Sequence, residues 1–166
     1  YLEVVDAAWE AGIRPRCHLE DVTRADIDGF VMPFVCELVR RSEQVAPDMH
    51  VKIRLCDTMG FGISTPGVKL PRSIPKLIYR MTHDAGVPPE CLEWHGHNDF
   101  HKVHANGATA WLYGCNALNS TLFGFGERTG NPPLEGAIIE YIALKGDLCG
   151  IDTHMIQEIA DYMTSL

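Results

Sequence analysis

Three short segments of this 166-residue sequence alternate between apolar and polar side chains, with the two kinds on opposite faces. In 51–56 (VKIRLC), Val, Ile and Leu share one face of a predicted β-strand, and Lys, Arg and Cys share the other. The segments 16–22 (RCHLEDV) and 91–95 (CLEWH) follow the same rule. A doubly wound sheet has helices on both faces and needs two apolar faces, so the pattern disfavours it. A barrel whose strands turn a polar face inward fits better.

Helical patterns fill the intervals between these strands, and a fourth strand is predicted at 117–122. The predicted helices cover residues 2–11, 26–45, 71–84, 101–113, 132–145 and 153–164. Pro33 falls inside the second of them, where the helix is expected to begin or to kink. Strands that alternate with helices indicate βα units and a parallel sheet. The predicted fold class is therefore α/β, with four consecutive βα units.

Four βα units amount to half of a (β/α)8 TIM barrel, which needs about 250 residues. We therefore expect the chain to be the C-terminal half of a larger barrel. Residues 1–150 would supply strands five to eight of a catalytic domain, and residues 151–166 a C-terminal helix. The alternative is a half-barrel that closes by forming a homodimer.

Composition narrows the range of partners and surroundings. A formal net charge of -8 argues against binding to nucleic acid, which requires a basic face. No apolar run reaches the roughly 18–20 residues that a membrane helix needs. The six cysteines include no C-x-x-C pair, which favours reduced, buried thiols. With no signal-peptide pattern at its start, the chain is expected to be cytoplasmic.

The strongest chemical motif is His95-Gly96-His97-Asn98-Asp99, directly after the third strand. Two histidines at i and i+2 on a strand end point the same way, so both imidazoles can reach one divalent metal ion. The alternative is a pair of histidines at the barrel rim with no metal. Asn131, in the glycine-rich segment 126–131 (GERTGN), offers an amide oxygen as a further ligand, or caps the following helix.

Two more segments carry polar residues at predicted strand ends. In 56–60 (CDTMG), Thr58 is positioned to bind a substrate carboxylate, and Asp57 has the alternative role of a loop cap. In 16–21 (RCHLED), Arg16 suits bidentate binding of a carboxylate, and Glu20 is a candidate base. The alternative is that these residues form internal ion pairs, Arg16 with Glu93 or Glu20 with Arg54.

The motifs HGHND, GERTGN and CDTMG together resemble the metal-dependent acyl-CoA condensing enzymes on a TIM barrel. This family includes the isopropylmalate, homocitrate and citramalate synthases and the Re-face citrate synthases. The three motifs occur in the family's order, after what would be barrel strands six, seven and eight. The resemblance covers residues 2–146. It implies a Claisen condensation of acetyl-CoA with a 2-oxo acid, assisted by a divalent metal ion (Mn, Zn, Co or Mg).

The resemblance also assigns roles to individual residues. His95 and His97 match metal ligands, Asn131 matches a ligand or near-ligand, and Thr58 matches a residue that binds the oxo-acid carboxylate. Arg16 matches a residue that reads a distal carboxylate, and Glu20 one beside the reacting centre. His18 stands where a small hydroxyl residue is expected, and its bulk should shorten the pocket.

A short pocket with an arginine favours oxaloacetate, so the product would be citrate, as in the Re-citrate synthases. The alternatives are homocitrate or isopropylmalate synthase activity, or a non-catalytic metal-binding half-barrel. Lyases of the same superfamily carry a reactive cysteine after strand eight, and residues 120–131 contain none. The isolated 166 residues are expected to be inactive, because the first half of the family's barrel carries further ligands.

Overall fold

The computed structural model describes residues 1–166 as one parallel sheet with helices between its strands. The strands are β1 (Arg16–Leu19), β2 (Lys52–Asp57), β3 (Leu92–Gly96) and β4 (Ala117–Asn119), and they lie in the order β1-β2-β3-β4. The α-helices are α1 (Leu2–Glu10), α2 (Met32–Ser42), α3 (Ile74–Tyr79), α4 (Val103–Leu112), α5 (Leu134–Lys145) and α6 (His154–Thr164). Sequential parallel strands joined by helices confirm the predicted βα units.

Shorter helical turns lie between these elements. Residues Val22–Arg24, Pro47–Met49, Pro89–Cys91 and Leu122–Gly124 form 3-10 turns, and residues Ile27–Val31 and Arg80–Asp84 form π-helical turns. None of the helices has the length and apolar character that crossing a bilayer requires. All six cysteines are free thiols, although Cys36 and Cys149 are exposed rather than buried.

The predicted element bounds are too long in several places. The first strand was expected over 16–22 but ends at Leu19, because Asp21 takes a left-handed conformation (φ 57°) and begins a 3-10 turn. The helix expected over 26–45 is a π-helical turn followed directly by α2, with Pro33 in the first turn of α2. Glu20 therefore lies just beyond its strand, in the loop.

The apolar strand faces form the core. Ile53, Leu55, Leu92 and Trp94 are completely buried and belong to one cluster of 23 buried residues that includes Val35, Leu38, Leu77 and Ile78 of the helices. Because strand side chains alternate, burying this face turns the other one away from the helices. The polar face therefore stays open, and His18 and Arg16 on it are exposed.

A cluster of four charged side chains lies on the polar face. The register places Arg54 beside Glu93 and Arg16 beside Lys52. Glu93, with a side chain only 4% exposed, accepts hydrogen bonds from Arg54 (2.9 and 3.0 Å), Arg16 (3.1 Å) and Lys52 (3.2 Å). Burial opposes the ionisation of Glu93, but the bonds from Arg54 and Lys52 and the charge of Arg16 outweigh it, so the pKa of this carboxyl is lowered.

Replacing Glu93 with Gln should destabilise the fold, because three neighbouring cations would lose their shared counter-charge. We expect the free energy of unfolding to fall by about 3 kcal/mol, the scale for removing one partner of a buried ion pair. Urea denaturation followed by circular dichroism measures the change. Glu90→Gln, at an exposed carboxyl three residues earlier, is the matched control. A loss no larger than that of the control would show that the cations are adequately solvated without Glu93.

Candidate active site

His95 and His97 lie at the carboxyl end of β3, with their rings at 87° to one another and 4.9 Å between centroids. Their Nε2 atoms are 3.2 Å apart. Two nitrogen ligands at this separation, each about 2.1 Å from an ion, would subtend an angle of about 100° at the ion, between octahedral and tetrahedral values. Burial, together with the electrostatic effects of His97 and Arg54, lowers the pKa of His95 and favours the neutral form that binds metals. The pair therefore fits a divalent metal ion.

The second nitrogen of each imidazole ring has no hydrogen-bond partner. The Nδ1 atoms of His95 and His97 are buried without hydrogen bonds. Asn98 and Asp99, the next two residues of the motif, could orient these rings but have other partners: Asn98 Oδ1 accepts the Val103 N–H (3.4 Å), and Asp99 binds Arg128. The rings are consequently positioned by the strand and by packing rather than by these two side chains.

Glu20 and Thr58 meet at the ends of β1 and β2. Thr58 Oγ1 donates to Glu20 Oε2 (2.9 Å) and accepts the Asp21 N–H (2.7 Å). His18 Nδ1 lies 3.9 Å from Glu20 Oε1. These three predicted site residues are thus brought together. The single hydroxyl proton of Thr58 is already committed to Glu20.

Cys56 completes a cluster that sequence reasoning missed. Ligand atoms of His18, Glu20 and Cys56 all lie within 4.8 Å of one another, which makes these residues a possible metal site. Cys56 is in register with His95 on the neighbouring strand. Burial, with the negative charge of Glu20, raises the pKa of the Cys56 thiol to about 12. The strict alternation of β2 already placed Cys56 on the polar face, but its neighbours depend on the register between strands.

Asp57 has a structural role. Its buried carboxylate accepts hydrogen bonds from Thr23 Oγ1 (2.6 Å) and from the Gly62 N–H (2.9 Å). Burial raises the pKa of Asp57, and these two bonds act in the opposite direction. The loop-cap alternative for this residue is therefore the one that the structure shows.

Asn131 lies in the glycine-rich loop after β4. Its N–H donates to the Gly124 carbonyl (2.9 Å), and its Oδ1 atom is buried without a partner. The side chain packs so closely on Gly126 that a Cβ there would lie 2.2 Å from Oδ1. Helix α5 begins after Pro133 with no side-chain cap, so the capping alternative for Asn131 is not observed. The unpaired amide oxygen is available as a ligand.

Arg128, another residue that sequence reasoning missed, connects all three motifs. Its guanidinium donates to Asp99 Oδ1 (2.8 Å) and Oδ2 (3.1 Å) and to the Thr58 carbonyl (2.6 Å). The Gly130 carbonyl accepts the Asn98 N–H (2.9 Å), a second link between the same loops. Arg128 itself has a positive φ of 54°, a left-handed conformation that is uncommon for residues other than glycine.

Arg16 lies at the start of β1, in the Glu93 cluster. The internal ion pair considered for it is therefore present, with Nε 3.0 Å from Glu93 Oε2. Its side chain is nevertheless 44% exposed on the polar face. Its proposed role in binding a substrate carboxylate stays a prediction.

The sequence and the fold place the chain in a known family. The HMGL-like family matches residues 1–163, and the chain belongs to it. The chain is 60% identical over 162 residues to a citrate (Re)-synthase of Syntrophus aciditrophicus, and 49% identical to a citrate (Re)-synthase of Clostridium kluyveri; each match covers 98% of this chain. Members of this family depend on a metal ion.

Solved structures agree on the fold. Hydroxymethylglutaryl-CoA lyase from Pseudomonas aeruginosa superposes with a TM-score of 0.66 at 24% identity, covering 97% of this chain and 53% of that one. The carboxyl transferase domain of Rhizobium etli pyruvate carboxylase gives 0.64 at 19% identity, covering 98% and 26%. These matches confirm a partial TIM barrel. The chain spans 25% and 35% of the lengths of the two citrate (Re)-synthases.

Replacing Arg128 with Lys should weaken metal binding, because an ammonium group cannot bridge two loops as the forked guanidinium does. We expect the dissociation constant for Mn²⁺, measured by titration calorimetry on the protein as its gene encodes it, to rise about tenfold, the scale for losing a group that orients metal ligands. Arg40→Lys, on the exposed face of α2, is the control. Unchanged affinity in Arg128→Lys would mean that other contacts suffice to hold the loops together.

Proposed function

We propose that this protein takes part in the Claisen condensation of acetyl-CoA with oxaloacetate, giving citrate and CoA. The observation that carries the proposal is the 60% identity to a citrate (Re)-synthase over nearly the whole chain. Residues 1–150 would contribute four βα units of the catalytic barrel, and residues 151–166 a separate C-terminal helix.

His95, His97 and Asn131 would hold the divalent metal ion. When bound, the ion supplies Lewis-acid polarisation of the 2-oxo acid. All three side chains are uncharged donors, so these residues leave the positive charge of the ion to be balanced by its other ligands, among them the carboxylate of the oxo acid.

Glu20 is the proposed base. It would take a proton from the methyl group of acetyl-CoA, and the resulting carbanion would attack the oxo-acid carbonyl before the thioester is hydrolysed. Thr58 holds Oε2 of this carboxylate, so Oε1 is the oxygen with capacity to accept the proton. Because Thr58 has one proton to donate, an oxo-acid carboxylate bound at Thr58 would displace Glu20 from it. Binding of the oxo acid would thus free the base.

Arg16 and His18 would set the choice of oxo acid. In the cluster on the polar face, three cations share one carboxylate, which leaves positive charge for a second carboxylate at the exposed Arg16. His18 lies two residues after Arg16 on the same face of β1. Its ring would shorten the space between Arg16 and the His95–His97 pair. A four-carbon dicarboxylate fits this shorter space better than a five-carbon one.

The substrate assignment is tested by CoA release from acetyl-CoA and Mn²⁺ with one oxo acid at a time. The protein as its gene encodes it should turn over with oxaloacetate and not with 2-oxoisovalerate, which lacks the distal carboxylate. His97→Ala should abolish the turnover, because it removes half of the imidazole pair. A preference for 2-oxoglutarate would instead identify a homocitrate-forming enzyme, and no turnover with any oxo acid would favour a non-catalytic half-barrel.

Replacing Glu20 with Gln separates proton transfer from binding. The amide keeps the shape and can still accept the Thr58 proton, but it cannot act as a base. We expect kcat to fall by about 10²–10⁴-fold, the usual contribution of general base catalysis, with little change in KM for oxaloacetate. Glu90→Gln should leave both constants unchanged. A raised KM with an intact kcat would place Glu20 in binding rather than in catalysis.

A further inference from the structure

A second group of metal-binding atoms lies beside the histidine pair and shares none of its atoms. His18 extends from β1, Glu20 follows the end of β1, and Cys56 lies on β2, with their ligand atoms within 4.8 Å of one another. Cys56 is buried, whereas the side chains of His18 and Glu20 are 43% and 61% exposed. The group is therefore fixed on one side by the sheet and open to solvent on the other.

We propose that His18, Glu20 and Cys56 form a second metal site, which binds a borderline or soft divalent cation such as Zn²⁺ or Co²⁺. Imidazole nitrogen, thiolate sulfur and carboxylate oxygen are all ligands that Zn²⁺ takes in tetrahedral sites. Thiolate disfavours Mn²⁺ and Mg²⁺, which prefer oxygen. Water would complete the coordination from the open side.

This site differs from the histidine pair in the charge of its ligands. A thiolate and a carboxylate carry two negative charges, which neutralise a divalent ion, whereas His95, His97 and Asn131 carry none. Binding requires that Cys56 lose its proton, and that proton passes to solvent. The neighbouring Arg54 is paired with Glu93 at 2.9 and 3.0 Å, which reduces the repulsion between its charge and a bound cation.

Occupation of this site would switch the protein off. This consequence rests on the proposed function: a cation bound to Glu20 would occupy the carboxylate needed as base and draw it away from Thr58. The two sites would then have opposite effects on activity. A divalent ion at the histidine pair would support turnover, and a thiolate-preferring ion at the second site would inhibit it.

Co²⁺ distinguishes the two sites spectroscopically, because only a thiolate ligand gives a sulfur-to-Co²⁺ charge-transfer band in the near ultraviolet. We expect the protein as its gene encodes it to develop this band on titration with Co²⁺. Zn²⁺ should displace the band, and a tenfold excess of Mg²⁺ should not. The band should persist in His95→Gln, since that residue is no ligand of the second site.

Variants identify the ligands. Cys56→Ser should abolish the band, and Cys36→Ser, which removes an exposed thiol on α2, should retain it. His18→Gln changes an exposed side chain that the fold does not need, and it should raise the dissociation constant for Co²⁺ at least tenfold even if Cys56→Ser fails to fold. The inference is overturned if no band develops, if Cys56→Ser folds and keeps it, or if His95→Gln removes it.

The predicted inhibition by Zn²⁺ is measured as a loss of CoA release. With Mn²⁺ and oxaloacetate present, added Zn²⁺ should inhibit CoA release, and the concentration for half inhibition should rise at least tenfold in Cys56→Ser. A charge-transfer band without any turnover would refute the proposed function and leave the second site standing. Turnover without a band would refute the second site alone.

Discussion

The Glu93 carboxylate is the contact on which the polar face of this sheet depends. Arg16 on β1 lies opposite Lys52 on β2, and Arg54 lies two residues further along β2. Without a counter-charge, the repulsion among these three cations would oppose the pairing of β1 with β2. A nearly buried carboxylate bound by all three turns that repulsion into a stabilising cluster. The Glu93 carboxylate therefore stabilises a sheet that has one apolar face and one face rich in cations.

The same contact helps to fix the register between strands. Arg54 pairs with Glu93 on the polar face while Leu55 pairs with Trp94 in the core, so a slip of one residue would break both. With that register set, Cys56 necessarily lies beside His95, and His95 beside Asn119. The strands therefore position the side chains of the site, and the loops after them contribute Thr58 and Asn131. Arg128 holds these loops together by bonds that no strand supplies.

Sequence patterns predicted the parts of this architecture that follow from periodicity. The alternation of β2 and β3 identified the buried face and the polar face, and the i, i+2 spacing of His95 and His97 predicted that both rings point the same way. The ends of elements were predicted less well, because they depend on local backbone conformation. Asp21 shows this, since its left-handed turn ends β1 three residues early and moves Glu20 into the loop.

Contacts between distant motifs could not be predicted from the sequence, for a different reason. Nothing in GERTGN indicates that its arginine reaches both Asp99 and Thr58, because those contacts arise only when three loops meet at one end of the sheet. Cys56 was likewise visible as a polar-face residue, but its proximity to His18 and Glu20 depends on the pairing of β1 with β2. The sequence left two roles open for Arg16, an ion pair and the binding of a substrate carboxylate. The structure shows the ion pair with Glu93, and the guanidinium remains accessible to solvent.

The distribution of charge is compatible with the anionic substrates proposed for this acidic protein. The chain carries a formal charge of -8, yet its polar face gathers Arg16, Lys52 and Arg54 against only two carboxylates, Glu20 and Glu93. A local excess of positive charge on a partly buried surface attracts anions even when the whole molecule is negative. An oxo-acid dianion would therefore be repelled by most of the surface and attracted to one face. Electrostatics would guide the proposed substrate to the strand ends where His95, His97 and Glu20 lie.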